Sequence, residues 1–241
     1  MTRSAKVGQS LKSAKRLFSV IGCIQENQPI GITELSQALD IPTSSIQVYV
    51  NTLQESGYVV KKEGKYRLGL RFFDHGMNAL RNYEIYPTAK PKVYELAEET
   101  GELAAAFVEE GGKAIYAIAA AGDNAIRTDL NIGSHTGLHC TAGGKAILAH
   151  LPQGYIEEIV ATRGLPAHTD ATITNVDELQ SELEEIRTRG VAFNVEESIP
   201  SMSAVAAPVI SGWTVIGSIS LSGPSNRLHG SLLEDELAGV V

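Results

Sequence analysis

Cysteine is nearly absent: Cys23 and Cys140 are the only two in 241 residues. Two thiols so far apart build neither a disulfide framework nor the close pairs of a zinc site. Long apolar runs are absent as well. None approaches the ~20 residues that cross a bilayer, and no apolar stretch of the kind found in signal peptides follows Met1-Thr2-Arg3-Ser4-Ala5-Lys6. Internal repeats and low-complexity tracts are missing. The expectation is a cytoplasmic globular protein with no membrane partner, no metal and no cofactor. Positive charge is also in deficit, 20 Lys and Arg against 28 Asp and Glu, for a net charge of −8. Taken whole, that argues against nucleic acid as a partner.

Divided along the chain, the charge says the opposite. Residues 1–75 carry 10 basic and 6 acidic side chains, and the remainder carries 10 and 22. A basic first third on an acidic body is the asymmetry of a DNA-binding module joined to a domain with another task. The hydrophobic pattern of this third agrees. Leu11, Ala14, Leu17, Phe18, Ile21 and Ile24 follow helical spacing up to Asn27, ahead of Pro29. Thr33 is placed to cap a short helix from Glu34 to Leu39, with Leu35, Ala38 and Leu39 as its apolar face. After the turn Asp40-Ile41-Pro42-Thr43, a second helix runs from about Ser44 to Ser56 with Ile46, Val50 and Leu53 inward, and Gly57 ends it. Two short helices across a tight turn predict a helix-turn-helix. Tyr58–Val60 and Tyr66–Leu68 then flank a basic tip, a hairpin in the position of a wing.

Phosphate contacts are expected from Lys61, Lys62, Lys65 and Arg67 in the wing, and from Arg3, Lys12, Lys15 and Arg16 upstream. From Ile41 to Val60 there is no Lys or Arg. Base contacts therefore fall to Thr33, Thr43, Ser44, Ser45, Gln47, Val48 and Asn51, with Gln47 suited to adenine and Val48 to a thymine methyl. The partner is double-stranded DNA, with a near-palindromic site if the protein is a symmetric dimer.

Beyond a linker helix, the chain alternates strands and helices. Leu103–Glu109 and Ala114–Ala120 are strand-like around the turn signal Glu110-Gly111-Gly112-Lys113, and Ile126–Ile132 is a further candidate. Pro87 and Pro91 punctuate the stretch before a helix from about Thr88 to Glu99. Thr141 is a plausible cap for a helix opening on Ala142, Gly143 and Gly144, whose amides could receive an anion such as a carboxylate; an ordinary capped helix would look the same. A Glu-rich helix spans Val176 to Arg189, and strands resume at Val191–Val195, Ala204–Ile210 and Val215–Leu221. Ser218, Ser220 and Ser222 share one face of the last strand, as a ligand-facing row or as a half-solvated face. An enzyme is the rival reading, since His135, His139, Cys140 and Asp170 bear reactive groups. They follow no triad order and no metal spacing, and His139 reads as a packed or capping residue.

Several segments together resemble the IclR family of transcriptional regulators over nearly the whole chain: Leu35-Ser-Gln-Ala-Leu-Asp-Ile-Pro, Leu53-Gln-Glu-Ser-Gly-Tyr-Val, Leu138-His-Cys-Thr-Ala-Gly-Gly-Lys-Ala, Arg189-Gly-Val-Ala, Val205-Ala-Ala-Pro-Val and Ile219-Ser-Leu-Ser-Gly-Pro. The resemblance implies an α+β protein: a winged helix-turn-helix (residues 1–69), a linker helix (70–85) and a GAF-like α/β effector-binding domain (86–241). It implies a homodimer, often a dimer of dimers, acting commonly as a repressor. The effector pocket it implies is made by Leu130, His139, Ala142, Gly143, Gly144, Asn194, Ala204, Ser220 and Ser222. Asn194 and Ala204 replace an acidic residue and a cysteine, Val48 replaces a basic residue, and the family's longer C-terminal helix is shortened to Glu236–Val241. The expected effector is a small organic acid. The alternative is a vestigial sensor that serves only for oligomerisation.

Overall fold

The computed structural model describes residues 10–126, 132–230 and 232–241. The chain divides into two compact units, Met1–Asn78 and Ala79–Val241.

In the first unit, α1 (Lys12–Asn27), α2 (Ile32–Leu39) and α3 (Thr43–Glu55) precede a hairpin of β1 (Val59–Lys62) and β2 (Lys65–Leu68). Val20, Cys23 and Ile24 of α1 bury against Leu35 of α2, Ile46, Val50 and Leu53 of α3, and Val59 and Tyr66 of the hairpin. Leu11 and Phe18, expected on the inner face of α1, are instead exposed, and so is Ala38 of α2. The apolar stripe of α1 is wider than the small core it covers. Thr33 does not cap α2. The cap is Gly31, whose N–H donates to Glu34 Oε2 at 2.6 Å, so the helix starts earlier than residue type alone suggests and Thr33 is exposed in its first turn. Burial of Ile30 against the hairpin sets this start, because Ile30 and Tyr66 exchange backbone hydrogen bonds of 3.1 and 2.8 Å. The hairpin turns through Glu63 and Gly64, both at positive φ (54° and 81°). That two-residue turn matches the strand twist and holds the lysines at the tip.

The second unit is built on a six-stranded antiparallel sheet of order β5-β4-β3-β8-β7-β6. Its strands are β3 (Leu103–Glu110), β4 (Lys113–Ala121), β5 (His135–Thr136), β6 (Ala192–Val195), β7 (Met202–Ser211) and β8 (Thr214–Pro224). The expected strand at Ile126–Ile132 lies mostly outside the described residues. Alternation along β3 sends Ala104, Ala106 and Val108 to one face and Ala105 and Phe107 to the other. The first face is covered by α5 (Ile85–Thr100) and by Leu228, Leu233 and Leu237 near the C-terminus. The second is covered by α6 (Ala142–Leu148), α7 (Gln153–Arg163) and α8 (Val176–Arg189). Between the two units in sequence runs α4 (Arg71–Leu80).

α5 begins before both of its prolines. Pro87 falls in the first turn, where its missing N–H is harmless, whereas Pro91 forfeits one internal hydrogen bond. Burial of Ile85, Ala89, Val93, Leu96 and Ala97 on one face outweighs that loss.

Candidate nucleic-acid interface and effector cavity

α3 presents Thr43, Ser44, Gln47, Val48 and Asn51 to solvent, while Ser45 is half-buried. Gln47 Nε2 donates to Asn51 Oδ1 at 2.7 Å, one helical turn on. This bond holds the Gln47 amide in one orientation until a base edge competes for it. Lys61, Lys62, Lys65 and Arg67 are all exposed on the hairpin, and Lys12, Lys15 and Arg16 are exposed on α1. Lys65 pairs only loosely with Glu34, at 3.5 Å between two half-exposed side chains. Such a pair holds little energy and yields readily to a phosphate. Arg3 lies outside the described residues.

The second unit contains a small, partly open cavity of about 40 Å³ between the sheet and the start of α6. Leu103 and Phe107 of β3, Tyr116 of β4, Thr141–Gly143, Asn194 of β6, Ser198, Ile199, Met202–Ala204 of β7, and Ser220 and Ser222 of β8 line it. Of the residues expected around an effector, Ala142, Gly143, Asn194, Ala204, Ser220 and Ser222 are brought together here. His139 and Gly144 are not in its wall, and Leu130 lies outside the described residues.

Each departure has a local cause. Thr141 caps α6 by accepting the Gly144 N–H at 3.1 Å, so that amide is spent. The Gly144 Cα also faces the Leu138 carbonyl, where an added Cβ would lie 2.4 Å from the oxygen. Gly144 is therefore needed for backbone packing and not for ligand approach. His139 turns away, and its Nε2 meets the Pro166 carbonyl at 3.0 Å. Burial holds this imidazole below its ordinary pKa, which keeps it neutral at pH 7. The glycine at 143 does not leave open room for a ligand beside its Cα: a Cβ there would fall 2.4 Å from Phe107 Cδ2. The ring of Phe107 occupies that place.

Asn194 is committed to the protein itself. Its Nδ2 donates to the Cys140 carbonyl and to Ser198 Oγ, both at 2.9 Å, and its Oδ1 accepts the Glu197 N–H at 2.9 Å. An aspartate could not make the two donations, so Asn194→Asp would disturb the wall as well as its charge. Ser218, on the serine face of β8, donates to the Gly143 carbonyl at 2.8 Å and ties α6 to the sheet. Ser203 is bonded to Ser225 at 2.9 Å. Left to face the cavity are the amides of Ala142 and Gly143 at a helix start, the Ser220 hydroxyl and the Tyr116 phenol. Burial pushes the Tyr116 phenol up to about 12, so it remains a neutral donor. No carboxylate lines the cavity among the described residues.

Sequence reasoning missed Phe107 and Tyr116. They face each other across β3 and β4 in an alanine-rich pair of strands, with ring centroids 4.2 Å apart. The signal was available: a bulky aromatic among Ala104, Ala105 and Ala106 marks where the sheet face needs filling. The buried pair of Lys145 and Glu197, 2.6 Å apart beside α6, was missed too. No helix among the described residues is long and apolar enough to cross a membrane.

A basic winged helix followed by a separate α/β unit is the architecture of a DNA-binding transcription regulator. Residues 13–63 match the IclR helix-turn-helix domain, and residues 77–241 match the bacterial transcriptional regulator IclR C-terminal domain. The chain belongs to the IclR family of transcriptional regulators, which are not enzymes. It is 29% identical to the HTH-type transcriptional regulator BhcR of Paracoccus denitrificans over 228 residues, covering 92% of this chain and 81% of that protein. It is 28% identical to the transcriptional repressor IclR of Escherichia coli over 225 residues, covering 91% and 81%. The crystal structure of the Thermotoga maritima IclR superposes with a TM-score of 0.81 at 27% identity, covering 95% of this chain and 93% of that one.

Proposed function

We propose that this regulator binds a near-palindromic operator as a homodimer or dimer of dimers and that a small organic acid in the sheet cavity modulates that binding. The observation that carries the effector class is the cavity wall: two helix-start amides, a serine hydroxyl and a neutral phenol converge where no carboxylate lines the space. Donors without a neighbouring negative charge favour an anion. The volume of about 40 Å³ admits only a compact acid unless the wall moves. The acid changes operator affinity only insofar as it binds one conformer better than another.

The test is calorimetric titration of the full chain with a panel of small carboxylic acids and their uncharged amides. An acid binds and its amide does not, and Ser220→Ala weakens the acid roughly tenfold, the cost of one hydrogen bond to a charged group. Binding of the amides alone would overturn the anion assignment, and binding of neither acid nor amide would favour a sensor without a ligand.

The DNA interface is tested by salt. Replacing Lys61, Lys62 and Lys65 with Ala lowers affinity for all sequences alike. It also flattens the dependence of log K on log salt by about 0.9 for each phosphate that the wing no longer neutralises. Fluorescence anisotropy across a salt series reads this slope, and an unchanged slope removes the wing from the interface.

A further inference from the structure

A second, larger cavity of about 250 Å³ lies on the other side of the turn that leads into α6. His139 and His168 line it, together with apolar side chains of α7 and α8. We propose that His139, Cys140 and His168 form a transition-metal site at the edge of this cavity, of the class that takes Zn²⁺. The potential ligand atoms of the three residues all lie within 4.8 Å of one another.

Local geometry favours coordination over simple packing. The Pro166 carbonyl can only accept, so His139 Nε2 carries the proton in their 3.0 Å hydrogen bond. Nδ1 then carries the lone pair. Holding the far nitrogen of a metal-binding imidazole on a backbone carbonyl is the usual way its ligating tautomer is set. Nδ1 and the Cys140 sulfur are neighbours against Gly137, where an added Cβ would lie 2.9 Å from Nδ1 and 3.0 Å from Sγ, and the thiol donates to the Gly137 carbonyl at 3.5 Å. Glycine at 137 is what lets both atoms pack this close to the turn and so to each other. His168 approaches from the loop after α7, its ring centroid 6.1 Å from that of His139.

Two imidazole nitrogens and one sulfur, with no carboxylate, select a borderline-soft ion over Mg²⁺ or Ca²⁺. Bonds of about 2.1 Å to nitrogen and about 2.3 Å to sulfur place tetrahedral ligand atoms roughly 3.5 Å apart. The cluster therefore has about an ångström to close, and His168, which is exposed, is the side chain able to move. On binding, the Cys140 thiol gives its proton to solvent and the sulfur–metal bond replaces it. Three protein ligands leave a fourth position for water or an anionic ligand entering from the cavity. The bound ion would also join the 164–168 loop to the wall of the effector cavity, because Cys140 precedes the Thr141 cap and its carbonyl accepts from Asn194.

The experiment uses the untagged full chain, reduced and stripped of metal, carrying Cys23→Ser so that Cys140 is the only thiol. Titration with Co²⁺ should give one equivalent of a thiolate-to-cobalt charge-transfer band and the intense visible bands of a tetrahedral site. Zn²⁺ should displace the cobalt. Cys140→Ser should abolish the charge-transfer band. His168→Gln alters only an exposed side chain, and it should weaken Zn²⁺, measured against a chromophoric chelator, by at least about tenfold. Absence of the band in the parent protein overturns the proposal. So does an unchanged Zn²⁺ affinity in the His168→Gln variant, which remains informative even if the Cys140 variant fails to fold.

Discussion

Lys145→Met destabilises the C-terminal unit by about 3–5 kcal/mol, the cost of leaving a buried charge without its partner. Lys145 has only 2% of its side chain exposed and sits 2.6 Å from Glu197 Oε1 and 3.3 Å from Glu182. Glu197 Oε2 is buried with no hydrogen-bond partner among the described residues, so the lysine is the main compensation this carboxylate has. Burial raises the Glu197 pKa above its ordinary value, and Lys145 works against that rise. A carboxyl raised in the folded state contributes stability when protonated, fully present below its unfolded pKa and lost as pH rises through the folded one. Removing Lys145 raises it further. The deficit of the variant is therefore greatest near pH 7 and narrows as pH falls toward the ordinary carboxyl range near 4.5. Urea denaturation followed by circular dichroism at several pH values measures both effects. Adding Glu197→Leu should recover most of the loss, since an apolar pair of similar volume replaces a buried ion pair at little cost. A single variant within about 1 kcal/mol of the parent at pH 7 would show that the pair contributes far less than a buried ion pair should.

Gly143→Val closes the effector cavity from the inside. The first atom of the new side chain would fall 2.4 Å from Phe107 Cδ2 and 2.8 Å from Cε2. Phe107 is 3% exposed and packs on Tyr116, so the open direction for its ring is the cavity of about 40 Å³ that it already lines. Overpacking of this kind costs about 1–3 kcal/mol, and the displaced ring takes the volume an effector needs. Acid binding is expected to fall by more than about a hundredfold, while the first unit keeps its own melting transition. Phe107→Leu placed in the same chain should restore part of both stability and binding, because the two side chains compete for one space. Calorimetry and thermal melts on the single and double variants check this. A Gly143→Val protein that melts and binds as the parent does would mean that the ring has another place to go.

The helix-turn-helix was legible because its determinants are local. Ile46, Val50 and Leu53 repeat at helical spacing, Gly57 stops the helix, and the hairpin carries its own turn residues. The start of α2 was misread by the same token. Thr33 is the better cap by residue type, but the pairing of Ile30 with Tyr66, 36 positions away, decides where the chain may turn. In the second unit, apolar runs split by paired glycines reveal β3 and β4, while Pro87 and Pro91 delay the expected start of α5 despite the buried face behind them. The cavity was legible only as far as its polar residues. Gly143 and Ser220 could be named, but which of Gly143 and Gly144 faces the sheet depends on Phe107 and Leu138. Lys145 gave no local sign of burial, since its partner Glu197 lies 52 residues on.

The six-stranded sheet is long in the middle and short at both margins. β3, β4, β7 and β8 have 8, 9, 10 and 11 residues, whereas the outer strands β5 and β6 have 2 and 4. Unpaired backbone at a sheet margin is a template on which another chain can add a strand, and short margins offer little of it. Yet each margin strand covers only part of its long neighbour: β5 pairs with Ala114 and Ile115 of β4, and β6 pairs with β7 from Ser203 to Ala206, so among the described strands residues 207–211 of β7 are left for an added strand to pair with.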